Sequence, residues 1–410
     1  MKIDADAAGM DATRLGRIDE HLLGRYVEPG KIPGCQVVVH RHGSVAHHSV
    51  LGRRDLERDR PVGDDTIWRI FSMTKPITGV ALLTLYERGM FALDDPVHRF
   101  LPEFTGLKVR DRLPDGSRPL VDPESPMTVR HLMMHMSGLG YGGRGQGNAG
   151  IGVDMLRKPI ANRWGRGATL ATMVEQLAEE PLRFHPGTKW LYSWSTDVCA
   201  RLVEVLSGQR FDEYLRTTLF EPLGMVDTGF TVPDDAVDRF AANYTRDAQK
   251  RLQLLDDPET SFYRREVTFL SGGGGLVSTA ADYLRFCRML LGGGELDGVR
   301  VLSRKTVELM ASNHLPGDGQ LADFALPGGY GEVGFTGMGF GLTVAVSKGP
   351  AETHAVGSAG EYMWGGAAST LFWIDPAEDL VVVFMTQLIP SGTFNFRGQL
   401  KSLVYGAIAD

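Results

Sequence analysis

The chain is poor in cysteine: three in 410 residues, Cys35, Cys199 and Cys287. They are far apart and odd in number, so they supply neither a disulfide framework nor a C-x-x-C metal motif. A reducing, cytoplasmic setting is expected. Apolar runs are short, and none reaches the roughly 18 residues of a membrane helix. The opening residues, Met1-Lys2-Ile3-Asp4-Ala5-Asp6, carry acid and no apolar core, so no secretory signal is visible. Basic residues are outnumbered by acidic ones, 43 Lys and Arg against 50 Asp and Glu. A net charge of -7 argues against a nucleic-acid partner, which needs a basic footprint.

Several chemical motifs are missing too. No G-x-S-x-G occurs, which removes the usual strained nucleophile elbow. The run Ser271-Gly272-Gly273-Gly274-Gly275 has no following Gly-Lys-Ser/Thr, so it reads as a tight turn near the site and not as a phosphate loop. His131 and His135 are spaced like zinc ligands, but the intervening Leu-Met-Met lacks the glutamate of H-E-x-x-H. Neither a metal nor a cofactor is expected.

What is present centres on Phe71-Ser72-Met73-Thr74-Lys75-Pro76. A serine hydroxyl needs a base to become a nucleophile. Three residues on, Lys75 falls on the same helix face, within reach of the serine oxygen. Proline is tolerated only in a helix's first turn, so Pro76 fixes the helix start and puts Ser72 at its N-terminus. There the exposed N–H groups favour negative charge. A helix over Ile77–Arg88, stopped at Gly89, follows.

Two distant segments join it. In Lys189-Trp190-Leu191-Tyr192-Ser193-Trp194, Tyr192 is either a core aromatic or a proton carrier whose pKa a nearby Lys75 ammonium would lower. In Trp364-Gly365-Gly366-Ala367, the glycines are either a strand-entry turn or a place where substrate meets the backbone. In the second case an N–H just beyond them would pair with that of Ser72 as an oxyanion hole.

Periodicity places helices at Asp11–Tyr26, Val129–Met136, Leu170–Glu179, Asp197–Leu206 and Phe211–Leu219, and another up to Leu291 capped by Ser278 or Thr279. A last helix spans Arg397–Ile408. Strand signals lie at the two chain ends: Cys35–His40 and Ser44–Val50 early, then Gly341–Ser347, Ala368–Ile374 and Leu380–Thr386. The glycine-dense Gly140–Gly152 loop is either a lid or a surface excursion.

With Ser72-Met73-Thr74-Lys75, the Thr128–Leu139 segment, Gly275–Asp282 and Trp364-Gly365-Gly366 in order, the sequence resembles the serine β-lactamase and penicillin-binding-protein superfamily. It is most similar there to the class C β-lactamase-like carboxylesterases called family VIII. The resemblance implies an α+β fold: an antiparallel sheet flanked by helices, built from both chain ends (residues 1–75 and 271–410). A mostly helical domain (76–270) is inserted, with the site in the cleft between the two. It also implies Ser72 as nucleophile, Lys75 as its partner, Tyr192 as general base, and the N–H groups of Ser72 and Ala367 as oxyanion hole.

Two departures from the lactamase pattern matter. Tyr192-Ser193-Trp194 stands for Tyr-x-Asn, and Trp364-Gly365-Gly366 for Lys-Thr-Gly. Without that lysine an anionic substrate loses a charge-assisted contact of about 1.5–3 kcal/mol, and a neutral ester loses nothing. The expectation is a carboxylesterase acting on a small neutral ester, with Trp194, Trp364, Gly365 and Gly366 lining the substrate pocket. The alternatives are an acyltransferase, a β-lactamase or a D-amino-acid peptidase on the same site, or a non-catalytic binding protein.

Overall fold

The structure is a computed structural model that describes residues 1–111, 113, 115–141, 167–326 and 330–410. Valine-rich segments from the two chain ends meet in one sheet. Its eight strands run in the order Met338–Phe340, Ala345–Ser347, Tyr362–Gly365, Leu371–Asp375, Leu380–Thr386, Gly34–Arg41, Ser44–Asp55 and Arg60–Pro61. Every neighbouring pair is antiparallel. At the join Val38 faces Val383, with β-branched residues packing along both strands.

Both central strands are buried at every position, the signature of a sheet covered on two faces. The helices Ala12–Leu22 and Phe396–Tyr405 pack on each other, and Ala280–Leu291 packs on the central strands. The expected antiparallel sheet flanked by helices, contributed by both ends of the chain, is therefore present. Thr279, not Ser278, caps the Ala280–Leu291 helix by accepting the Asp282 N–H.

The intervening region holds the helices Val129–Met133, Leu170–Ala178 and Ser195–Ser207. It also carries strands the sequence reading did not anticipate: the hairpin Asn243–Arg246/Leu252–Asp256 and the short pair Val109–Arg110/Leu120–Val121. The first of these pairs in parallel with Leu388–Ile389. Of the Gly140–Gly152 loop only Gly140 and Tyr141 are described; the rest lies outside the described residues.

Three expectations need correcting. The strand foreseen at Gly341–Ser347 is two strands, Met338–Phe340 and Ala345–Ser347, joined by a turn with Thr343 at φ 70°. Backbone bonds from Leu342 to Met310 (2.9 Å) and from Thr343 to Met133 (2.9 Å) hold that turn against neighbouring segments. Local propensity carries no trace of such tertiary ties. Next, Trp364 and Gly365 close a strand, Tyr362–Gly365, instead of opening one. Finally, the first helix ends at Leu22 and continues only as a wider π turn, Leu23–Val27.

Candidate active site

Phe71–Met73 forms a 3-10 turn that runs directly into the helix Thr74–Glu87, with Pro76 in its first turn. Residues Thr74–Leu85 are all buried, Lys75 and three threonines among them, so this helix is covered around its whole circumference and serves as an interior axis of the molecule. Phe71 has φ 42°. A bulky residue there is a backbone outlier, which persists only where the surroundings over-determine it. Phe71 packs with Ala367, Ala368 and Ile389, the turn that completes the site.

Lys75 reaches both ways from this helix. Its Nζ donates to Ser72 Oγ at 3.3 Å and to the Gly273 carbonyl at 2.6 Å. Burial pushes its pKa down to about 8, against the pull of Asp197 and then Glu332. The Ser271–Gly275 run is thus a turn whose Gly273 carbonyl orients the lysine. Its shape is set by Asp197, whose Oδ1 accepts from Ser271 Oγ (2.5 Å) and from the Gly273 N–H (3.1 Å). A Cβ on Gly273 would lie 2.4 Å from Asp197 Oδ2, so a side chain there would displace the Asp197 carboxylate.

Tyr192 is brought to the same point just ahead of the Ser195–Ser207 helix. Its hydroxyl accepts from the Trp364 indole N–H at 3.3 Å, and the Ser72 hydroxyl is near enough to lower its proton affinity. Lys75 Nζ lies 4.3 Å from the centre of its ring, a cation–π contact. The expected lowering of the Tyr192 pKa is not found. Burial, and next the nearby Glu332 carboxylate, push it well above the ordinary value, and the bonds from Ser72 and Trp364 offset this only in part. The lysine faces the ring and not the oxygen, so desolvation wins. Tyr192 is therefore a neutral phenol, and Lys75 is the group poised to lose a proton near neutral pH.

Trp364 is wholly buried and Trp194 nearly so. Trp364 packs against Tyr192 and Phe340, and Trp194 against Tyr141 and Phe269. They back Tyr192 and its surroundings rather than forming an open wall. Tyr141 also touches Tyr192, with ring centres 5.5 Å apart.

Opposite the helix, the Tyr362–Gly365 strand turns back at Gly366. The Gly366 N–H goes to the Thr370 carbonyl (2.8 Å), and the Ala367 carbonyl receives the Ser391 N–H (2.8 Å). The Ala367 N–H has no acceptor among the described residues, and the Ser72 N–H is in the first turn of its helix, where such groups are unpaired. Gly366 is required here because a Cβ would stand 2.4 Å from the Ile70 carbonyl.

Sequence reasoning missed two carboxylates and gave no role to one histidine. Asp197 was legible only as an acidic residue in a helix's first turn, and Glu332 carried no signal. His135, at φ 58° and fully buried, packs edge-on against Tyr192 at 4.9 Å and pairs through Nδ1 with Ser193 Oγ (3.3 Å). His131 instead caps its own helix, accepting the Thr128 N–H.

The profile of the family described as Beta-lactamase matches residues 20–402. The chain belongs to that family. Among relatives, it is 34% identical to Protein Rv1367c of Mycobacterium tuberculosis over 88% of each chain. It is 32% identical to Esterase EstB of Burkholderia gladioli over 95% of each. The solved structure of EstCE1, described as a hydrolase with promiscuous acyltransferase activity, superposes with a TM-score of 0.76 at 26% identity, covering 96% of this chain and 99% of the other. In this β-lactamase-family chain, a serine hydrolase, the sheet and helices have the β-lactamase-like α+β arrangement. Among the described residues, no helix is long and apolar enough to cross a membrane.

Proposed function

We propose that the protein is a carboxylesterase that hydrolyses small neutral esters through an acyl-enzyme on Ser72. The observation that carries this reading is Lys75 Nζ held at 3.3 Å from Ser72 Oγ with the Tyr192 ring 4.3 Å from the same Nζ, facing the uncommitted N–H of Ala367. In the proposed cycle neutral Lys75 takes the Ser72 proton as the oxygen attacks the ester carbonyl. The oxyanion rests on the N–H groups of Ser72 and Ala367. Collapse breaks the bond to the alcohol oxygen, which takes its proton from the Lys75 ammonium beside Ser72 while the Tyr192 hydroxyl donates a hydrogen bond to it. Water then repeats the sequence on the acyl-enzyme and frees the acid.

Anionic substrates are disfavoured because Trp364 occupies the place where the lactamases carry a lysine, and because Glu332 would oppose an anion beside the strand. Three buried, unpaired cysteines support a reducing, cytoplasmic setting. The test is Ser72→Ala with short-chain nitrophenyl esters, alongside mass spectrometry of the wild-type acyl-enzyme. The expected outcome is loss of turnover with an unchanged melting temperature, and an adduct on Ser72. Full activity in the variant would sink the mechanism.

Acyl transfer is the second reading, favoured by the likeness to EstCE1. Adding a primary alcohol to the ester assay separates the two: transfer diverts the acyl group into a new ester at the expense of free acid.

A further inference from the structure

Beside the Trp364-Gly365 strand end lies a cavity of about 970 Å³ whose lining includes Tyr330, Glu332, Ser369, Thr370, Ser391 and Arg397. Glu332 projects from the chain segment that borders the strand: a Cβ on Gly365 would lie 3.4 Å from Glu332 Cβ. Its two oxygens are treated differently. Oε2 accepts from Ser391 Oγ at 2.8 Å, and Ser391 is itself hydrogen-bonded to the Tyr330 hydroxyl. Oε1 is shielded from solvent and has no hydrogen-bond partner among the described residues.

The cations nearby do not satisfy it. Arg397 donates Nη1 to the Phe372 carbonyl (3.0 Å) and Nη2 to the Trp364 carbonyl (2.8 Å). Lys401 is paired with Glu361 at 2.5 Å. Lys75 spends its protons on Ser72 and Gly273. A buried acceptor left unpaired costs free energy, and it persists naturally where a ligand supplies the missing donor. The segment is also fixed against the site: Tyr330 packs on Tyr192 with ring centres 5.9 Å apart, and the Ser391 N–H holds the Ala367 carbonyl at 2.8 Å.

We propose that Glu332 is a specificity-determining residue, its Oε1 accepting a hydrogen bond from a hydroxyl or ammonium group carried by the substrate in the cavity beside Gly365. This rests on the reading of Ser72 as an esterase nucleophile and names the class of ester it takes: one bearing a hydrogen-bond donor some atoms from the scissile carbonyl. Esters with a purely aliphatic tail are poorer substrates, and those ending in carboxylate are rejected.

The test compares kcat/KM for nitrophenyl esters of matched length whose acyl tails end in methyl, hydroxyl, ammonium or carboxylate. A second series varies the alcohol in the same way, so that the two arms tell which half of the ester meets Glu332. Both are run on wild-type protein and on the isosteric Glu332→Gln. Wild type is expected to favour the hydroxyl or ammonium tail over methyl by about tenfold or more in one of the series. In Glu332→Gln the ammonium preference collapses and the carboxylate tail gains.

Equal ratios in the two proteins, or no preference in wild type, overturn the proposal. If wild type turns over no ester at all, the esterase reading fails instead. Calorimetric binding of n-hexylammonium, 1-hexanol and hexanoate to the two proteins then carries the same comparison, and identical affinities overturn the assignment of Glu332.

Discussion

Raising the pH is the sharpest probe of how Ser72 is activated. The Lys75 ammonium has its pKa pushed down to about 8 by burial, and the mechanism requires its neutral form. With that value the amine is neutral in roughly 1% of molecules at pH 6, about a tenth at pH 7 and half at pH 8. kcat/KM, which reports the free enzyme, should rise close to tenfold per pH unit up to about pH 7.5 and level off above pH 8.5. A pH-stat assay with a neutral ester avoids the titration of nitrophenol itself. Asp197 raises the Lys75 pKa through its charge, so Asp197→Asn should move the midpoint to lower pH. Its amide oxygen can still accept from Ser271 and Gly273, and the turn is retained. A flat or falling profile between pH 6 and 8, or an upward shift in Asp197→Asn, would refute Lys75 as the proton acceptor.

Further expectations follow from the same geometry. Trp364→Phe removes the indole N–H that meets the Tyr192 oxygen; one neutral hydrogen bond of about 1 kcal/mol corresponds to a several-fold loss in kcat, read against KM to separate it from binding. Gly366→Ala forces a Cβ against the Ile70 carbonyl and displaces the Ala367 N–H, so kcat should fall by about two orders of magnitude or more; a loss under threefold would remove that group from the oxyanion hole. Stability has its own pH signature. Lys75 has a lower pKa in the folded than in the unfolded chain, so between about pH 8 and the ordinary lysine value the unfolded state binds more protons and stability rises with pH. Denaturant unfolding should show that rise in wild type and lose it in Lys75→Met.

Much of this site was legible in the chain because its parts are short and local. Ser72-Met73-Thr74-Lys75 with Pro76 fixes a helix start from nearest-neighbour sterics alone, and the strands Gly34–Arg41 and Leu380–Thr386 announce themselves by β-branched residues. What was hidden depends on contacts between distant segments. The left-handed Thr343 turn answers to Met310 and Met133, and the proton affinity of Tyr192 is set by burial and by Glu332. Asp197 acts through a glycine turn more than seventy residues away, with no spacing rule to reveal it. The assignment of pKa between lysine and tyrosine was read the wrong way round for the same reason: a sequence shows which charges exist but not whether an ammonium meets a ring or an oxygen.

The sheet that joins residues 34–41 to residues 380–386 also sets the order in which activity can arise during synthesis. Ser72, Lys75 and their helix leave the ribosome early, but the Ala367 N–H, the Trp364 indole and the strand that seats them come from the last tenth or so of the chain. Under the proposed mechanism, a chain that stops before these residues carries a serine beside a lysine without the proposed oxyanion hole. Pairing across that sequence distance is slow to find, and until it forms the valine-rich edge of Gly34–Arg41 stands open to other chains. Truncations at the C-terminus should therefore fail through aggregation before they fail through chemistry.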